Sequence, residues 1–144
     1  VLQLAREPGV AGTKDSTGDF IGFSRGVLGH QAEDFAWIQG HDPLDGASLM
    51  LGARGIVSGL GNVRMDDYVA MYAAAQARDW EGVKELQRRI NALFEIIRVC
   101  DGRTIAAIKA ALSIEGRCTH WMRIRSMSAS AEDLAAVERV LGNL

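Results

Sequence analysis

Three short apolar segments limit what this chain can fold into: Val10-Ala11-Gly12-Thr13, Phe35-Ala36-Trp37-Ile38-Gln39 and Gly55-Ile56-Val57-Ser58. Each is strand-length, and each is followed by turn-forming or helix-capping residues, which predicts buried β-strands. Between the first two, Asp15-Ser16-Thr17-Gly18-Asp19 can cap a helix that carries Phe20, Ile21, Phe23, Val27 and Leu28, although Gly22 and Gly26 weaken it. Between the second and third, residues 44–51 supply a shorter helix that Gly52 ends. Strand, helix, strand, helix, strand at these spacings predicts parallel βα units.

After Asn62 glycine thins out and the apolar residues take up helical spacing. A helix opening at Asp66-Asp67, with the acidic pair at its positive end, is expected to bury a stripe of Val69, Ala70, Ala73 and Ala77. A longer helix from Glu81 carries Val83, Leu86, Ile90, Leu93, Phe94 and Ile97 on one face and breaks at Gly102. A third, from Thr104 to a stop at Gly116, carries Ile105, Ile108, Ala111 and Leu112, and a fourth occupies 131–141 after Ser128-Ala129-Ser130. Trp80, Trp121 and the methionines read as core or subunit contacts rather than a cofactor box.

Three parallel strands leave two bare edges and one uncovered apolar face, so the sheet reads as part of something larger. A closed eight-stranded barrel resolves this. The expected fold class is α/β, the C-terminal part of a (β/α)8 TIM barrel plus a helical region. Residues 1–64 would supply strands six to eight, and residues 65–144 the last barrel helix and a C-terminal helical extension. The chain opens on Val1, and Val1, Leu2, Leu4 and Ala5 read as the end of an amphipathic helix stopped by Pro8-Gly9, an interrupted beginning.

Composition excludes several function classes. Among 144 residues, 48% are apolar and 24% charged, as in a globular protein rather than a disordered one. A formal charge of −2, with basic residues spread along the chain, provides no field for phosphates, so a nucleic-acid partner is not expected. Cys100 and Cys118 have no metal-site or disulfide-framework spacing, and a reducing cytoplasm is the expected home. No apolar run approaches the roughly 20 residues of a membrane helix, and the opening residues do not form a signal peptide.

In parallel α/β folds functional groups gather at the carboxyl ends of strands, and Lys14 follows the first apolar segment there. By position alone it reads as a solvated residue ahead of a helix cap. A lysine desolvated at that place would instead supply free amine to attack a ketone and form an imine. The stretch Gly12-Thr13-Lys14-Asp15-Ser16-Thr17-Gly18-Asp19 favours the second reading. It resembles the G-x-K-[DE]-[SAT]-[ST]-G-[DN] strand and loop that carries the Schiff-base lysine of the dihydrodipicolinate synthase/N-acetylneuraminate lyase family. Gly40-His41-Asp42 and Leu51-Gly52-Ala53-Arg54-Gly55-Ile56-Val57-Ser58 with Asn62-Val63 keep the family's order, and Ile108-Lys109-Ala110-Ala111-Leu112 echoes a late helix.

The resemblance implies that Lys14 is the imine-forming nucleophile. It further implies that the Val57 backbone carbonyl faces the bound oxo acid and that Gly40 lines the same pocket, with Asp42 placed to read substrate hydroxyls. His41 reads as a surface or structural residue. The implied activity is a class I, lysine-dependent lyase, aldolase, synthase or dehydratase acting on pyruvate or a related 2-oxo acid. It needs no cofactor and no metal and acts in a homo-oligomer, dimer or tetramer. Pro43 and Gly59 depart from the acidic residue and serine usual in sialic acid lyases, and Met65 and Ser126 stand where relatives commonly have proline. The family's tyrosine and Thr-rich loop belong to earlier strands, so the isolated 144 residues are expected to be inactive. Two other readings stay open: a barrel enzyme binding phosphate through Gly59-Leu60-Gly61-Asn62, and a non-catalytic piece whose residues 66–144 serve assembly.

Overall fold

Trp37 organises the first part of the structure, a computed structural model that describes residues 3–29 and 35–144. It lies in β2 (Ala36–Gln39), the middle strand of a parallel sheet ordered β1-β2-β3. β1 (Gly12–Asp15) sets Gly12 opposite Ala36 and Lys14 opposite Ile38, and β3 (Gly55–Ile56) sets Gly55 opposite Ile38. Strand alternation therefore turns Trp37 and Gln39 to one side and Lys14, Ile38 and Gly55 to the other.

β1 begins two residues later than the apolar segment predicts, so Lys14 lies inside the strand rather than after it. The partner strand sets this register. Gly12 comes so close to β2 that a Cβ there would stand 2.5 Å from the Ala36 carbonyl oxygen, while the Ala36 amide donates to the Ala11 carbonyl just outside the strand. β3 is likewise shorter than expected, although the Val57 amide still donates to the Gln39 carbonyl at 2.8 Å and extends the ladder by one bond.

On the Trp37 side, α1 (Phe20–Gly29) packs Phe23 and Val27 with Phe35, Trp37 and Ala53 into a small core. Trp37 meets Phe23 and Phe35 edge-on, with ring centroids 6.0 and 5.3 Å away. Gly26, which weakens α1 by intrinsic propensity, is the residue that lets the helix close on the sheet. A Cβ on it would lie 2.2 Å from the indole ring. α2 (Asp45–Leu51) follows β2 and ends at Gly52, whose φ of 110° is the left-handed conformation that glycine adopts without strain.

The remainder is helical: α3 (Met65–Gln76), α4 (Trp80–Arg98), α5 (Thr104–Ile114) and α6 (Ala131–Leu141). α4 is capped by the Asp79 side chain, which accepts from the Gly82 amide, and buries Val83, Ile90, Leu93, Ile96 and Ile97. α6 opens with a reciprocal capping box between Ser130 and Asp133, and Asp133 also accepts from Arg103 at the start of α5 at 2.7 Å. These helices share the large core with Leu60, Met71 and Cys100. No helix among the described residues is long and apolar enough to cross a membrane.

Several expected faces differ. In α3 the buried residues are Asp67, Tyr68, Met71 and Ala75, and the stripe of Val69, Ala70, Ala73 and Ala77 faces outward. Alanines give an alanine-rich helix little preference for a face, whereas Tyr68 and Met71 each bury far more area and set the rotation. Ile105 and Trp121 are exposed rather than core. The Arg125 guanidinium lies 4.5 Å from the Trp121 ring centroid, so Trp121 takes a cation–π contact at the surface. The expected helix end at residues 1–5 falls partly outside the described residues, and Leu4–Arg6 is a 3-10 turn.

Gly26 supports a test in which two magnitudes oppose. Alanine gains about 1 kcal/mol of helix propensity over glycine, but overpacking against Trp37 costs about 1–3 kcal/mol. Urea unfolding of Gly26→Ala is expected to show a net loss of stability, and Gly26→Val a larger one.

Candidate active site

The candidate site lies on the side of the sheet away from Trp37, at the carboxyl ends of the strands. Lys14 points to this side from β1, and its arm crosses Gly40, the residue after β2. A Cβ on Gly40 would meet Lys14 Cε at 2.0 Å, Ser16 Oγ at 2.4 Å and Lys14 Nζ at 2.8 Å. Glycine is therefore required at position 40 for the amine to lie where it does. Gly40 is fixed in turn, its amide lying 2.7 Å from the Asp15 carbonyl and 2.9 Å from Gln39 Oε1. Gln39 also accepts from the His41 amide and donates to Ser48 Oγ, so one buried amide side chain holds the loop to α2.

Two residues beyond Gly55, alternation returns Val57 to the Lys14 side. Its side chain is 59% exposed, open rather than in a core. The fold thus brings Lys14, Gly40 and Val57 onto one face.

Asp42 is not brought there. It is 5% exposed, and its Oδ1 accepts from the Tyr68 hydroxyl at 2.6 Å and the Leu60 amide at 3.0 Å. Its carbonyl accepts from Gln87 Nε2 at 3.0 Å. Instead of meeting substrate from the open face, Asp42 joins the 3-10 turn after β2, the turn after β3, α3 and α4. Burial, and then the Asp42 charge, push the Tyr68 phenol far above its ordinary range, so it stays a neutral donor. His41 is half-buried with its ring edge-on to Phe94, a packing role.

Gly59–Asn62, the candidate phosphate loop, is a 3-10 turn with Leu60 and Gly61 buried. Its Leu60 amide already donates to Asp42, and the Val63 and Arg64 amides fold back onto the Leu60 carbonyl. Among the described residues no group of three or more His, Cys, Asp or Glu is arranged to hold a metal ion.

One residue escaped the sequence reading. Asp45, the first residue of α2, has no exposed surface. Ser58 Oγ donates to its Oδ1 at 2.9 Å, and its Oδ2 is buried without a hydrogen-bond partner. Burial pushes its carboxyl up to about 7, with the Asp42 charge adding to the rise and the Ser58 hydrogen bond and the Lys14 charge opposing it. An acid in the first turn of a helix ordinarily reads as a solvated end charge, which conceals it. The available signal is its spacing, three residues after Asp42 and so on a neighbouring stretch of the same turn.

The model of the Dihydrodipicolinate synthetase family matches residues 1–143. This chain belongs to that family. It is 30% identical over 141 residues to the 4-hydroxy-tetrahydrodipicolinate synthase of Methanospirillum hungatei, covering 98% of this chain and 48% of that protein. The corresponding enzyme of Phenylobacterium zucineum is also 30% identical, over 95% of this chain and 47% of its own. The dihydrodipicolinate synthase structure from Bacteroides thetaiotaomicron superposes with a TM-score of 0.85 at 28% identity, over 97% of this chain and 48% of that one. N-acetylneuraminate lyase from Fusobacterium nucleatum shares the fold, with a TM-score of 0.74 at 20% identity over 90% of this chain and 43% of its own. The chain spans about half the length of the curated relatives it matches.

Two outcomes follow from the buried polar groups of this family member. Tyr68→Phe removes a buried donor to a carboxylate and is expected to cost about 1.5–3 kcal/mol in chemical denaturation. Asp45 keeps a proton in the folded state that the unfolded chain, at the usual value of 3.8, has released. Stability is therefore expected to be highest at low pH within this window and to fall by a few kcal/mol as pH rises from about 4 through 7. Denaturation curves of Asp45→Asn across the same range should be flatter than those of the native protein.

Proposed function

We propose that this chain is the C-terminal part of a Schiff-base-forming lyase or synthase that acts on pyruvate or a related 2-oxo acid through Lys14. The observation that supports this most directly is the passage of the Lys14 arm across Gly40, on the face it shares with Val57, at the carboxyl ends of parallel strands. Membership of the dihydrodipicolinate synthetase family supports the same chemistry.

In this reading the uncharged amine of Lys14 attacks the ketone carbon of the oxo acid. A C–N bond forms, the carbonyl oxygen leaves as water, and both amine hydrogens depart with it. Proton uptake by the imine nitrogen then makes it an electron sink, so the adjacent carbon–carbon bond is made or broken without metal or organic cofactor. Gly40 clears the path of the amine, and the Val57 carbonyl faces the oxo acid. Asp42 acts from behind, holding the loop between Gly40 and α2 rather than reading substrate hydroxyls.

Residues 1–64 act as strands six to eight of a (β/α)8 barrel, and residues 65–144 as its last helix and a helical extension. Other strands complete the barrel and supply the remaining catalytic groups. The protein works as a cytoplasmic homo-oligomer on a small-molecule substrate, with neither nucleic acid nor membrane as partner. The phosphate-binding reading is the weaker one, because the Leu60 amide is engaged by Asp42.

Incubating the complete barrel protein with pyruvate and borohydride should add a stable adduct at Lys14, located by peptide mass spectrometry and absent in Lys14→Ala. Retained activity with Lys14 unmodified would overturn the reading. Gly40→Ala, whose methyl would occupy the space of the lysine arm, is expected to lower the trapping rate at least tenfold while the protein stays folded.

A further inference from the structure

β2 and β3 stop pairing one hydrogen bond short of what their backbones allow. Ile38 lies opposite Gly55 and Gln39 opposite Ile56, and the Val57 amide donates to the Gln39 carbonyl at 2.8 Å. In a parallel ladder the residue that donates to one position of its neighbour accepts from the position two further on. The next bond would therefore run from the His41 amide to the Val57 carbonyl. His41 is extended, with φ −123° and ψ 104°, so its backbone does not turn away from the strand. Its amide nevertheless donates to Gln39 Oε1 at 3.1 Å. On the other edge of β2 nothing is interrupted, since the Gly40 amide, 2.9 Å from the same Oε1, keeps its bond to the Asp15 carbonyl at 2.7 Å. We propose that Gln39 is a positioning residue for the reaction at Lys14: its side-chain oxygen takes the His41 amide out of the ladder and so keeps the Val57 carbonyl open as a hydrogen-bond acceptor for the adduct formed at the lysine.

This rests on the reading of Lys14 as the imine-forming residue and of Val57 as the residue whose carbonyl faces the oxo acid, and it names the group that keeps that carbonyl free. Gln39 is 2% exposed and turns with Trp37 to the side of the sheet away from Lys14, so it does not touch substrate and acts through the backbone. A primary amide suits the task. Its oxygen accepts two bonds at once, and its nitrogen, which must donate, meets Ser48 Oγ at 2.9 Å. Ser48 lies in α2 with no exposed surface, so the amide is held from behind by a buried partner. The Val57 carbonyl is fixed from its other end as well. It shares a planar peptide group with the Ser58 amide, and the Ser58 hydroxyl donates to Asp45, one turn before Ser48 in α2, at 2.9 Å. α2 thus sets both strand ends, one through Gln39 and one through Ser58. An open acceptor there has a use in the chemistry. When the Lys14 amine adds to the ketone, a C–N bond forms and the ketone oxygen becomes a hydroxyl with a proton the amine gives up; loss of water and uptake of a proton then give the protonated imine. The hydroxyl and the imine N–H are donors that pyruvate itself does not have. A carbonyl already engaged by His41 would offer them nothing.

Two measurements on the complete barrel protein test this. The first follows borohydride trapping at Lys14 against pyruvate concentration. Half-saturation reads the stability of the adduct, whereas a merely structural side chain would change Tm and the maximal rate and leave half-saturation in place. Gln39→Leu, which has no oxygen for the His41 amide, is expected to raise the half-saturating concentration by about tenfold or more. Gln39→Glu keeps an acceptor for both amides and is expected to stay near the native value. Unchanged half-saturation in Gln39→Leu, or an equal rise in both variants, would overturn the proposal. The second compares crystal structures of the native protein and Gln39→Leu. The His41 amide is expected within hydrogen-bond reach of the Val57 carbonyl in the variant alone, and an amide that stays away from it counts against the proposal. If Gln39→Leu does not fold, Ser48→Ala leaves the Gln39 amide unheld and is expected to raise half-saturation by a smaller factor; no change there also defeats the proposal. A native protein that forms no adduct sinks the lysine reading, and with it the role given to Gln39, while the crystal comparison still decides whether Gln39 governs the end of the ladder.

Discussion

The Asp42 carboxylate is the interaction on which the rest of the structure depends. One oxygen accepts from the Tyr68 hydroxyl and the Leu60 amide, while the backbone of the same residue holds Gln87. The turn after β2, the turn after β3 and two helices therefore meet at one residue. Hydrogen bonds to a charged acceptor are among the stronger ones, and a buried carboxylate without them is strongly unfavourable. Replacing the partners one at a time would leave the charge unsatisfied, so the arrangement is cooperative. It also fixes the rotation of α3, because Tyr68 must face inward for its hydroxyl to reach Asp42.

Around that junction the structure separates two kinds of carboxyl. One oxygen of Asp42 takes two hydrogen bonds, from the Tyr68 hydroxyl and the Leu60 amide. Asp45, three residues later, is engaged at one oxygen and proton-retaining to about 7. Asp45 keeps its proton because it is buried, and the single hydroxyl donor from Ser58 offsets that only in part. The same loop holds the glycine over which Lys14 passes, so the residues proposed to carry the chemistry depend on the junction for their geometry.

Much of this was legible in the residues themselves. Strand order, the helix stop at Gly52 and the long face of α4 follow from spacing and capping alone, and the loop from Gly12 to Asp19 carried the family resemblance. The register of β1 was not legible, because it is set by contact with Ala36 rather than by the run of apolar residues. The face of α3 was not legible either. An alanine-rich helix takes its orientation from one tyrosine and one distant aspartate. Asp42 and Asp45 were the least readable, since both sit in a turn and a helix start where acidic residues are normally solvated, and their burial comes from elements far away in the chain. Gly26 shows the converse, a residue that looks like a defect in α1 and is the opening into which Trp37 fits.

The apolar residues fall into two separate clusters, a small aromatic one beneath α1 and a large one among the later helices. Such a division makes resistance to opening uneven along the chain. Among the described residues, β1 and α1 are backed by the smaller cluster and α4 and α5 by the larger one. Lys14 lies on the strand backed by the smaller cluster, and a lower cost of local opening there would let the proposed nucleophile adjust to what binds beside it.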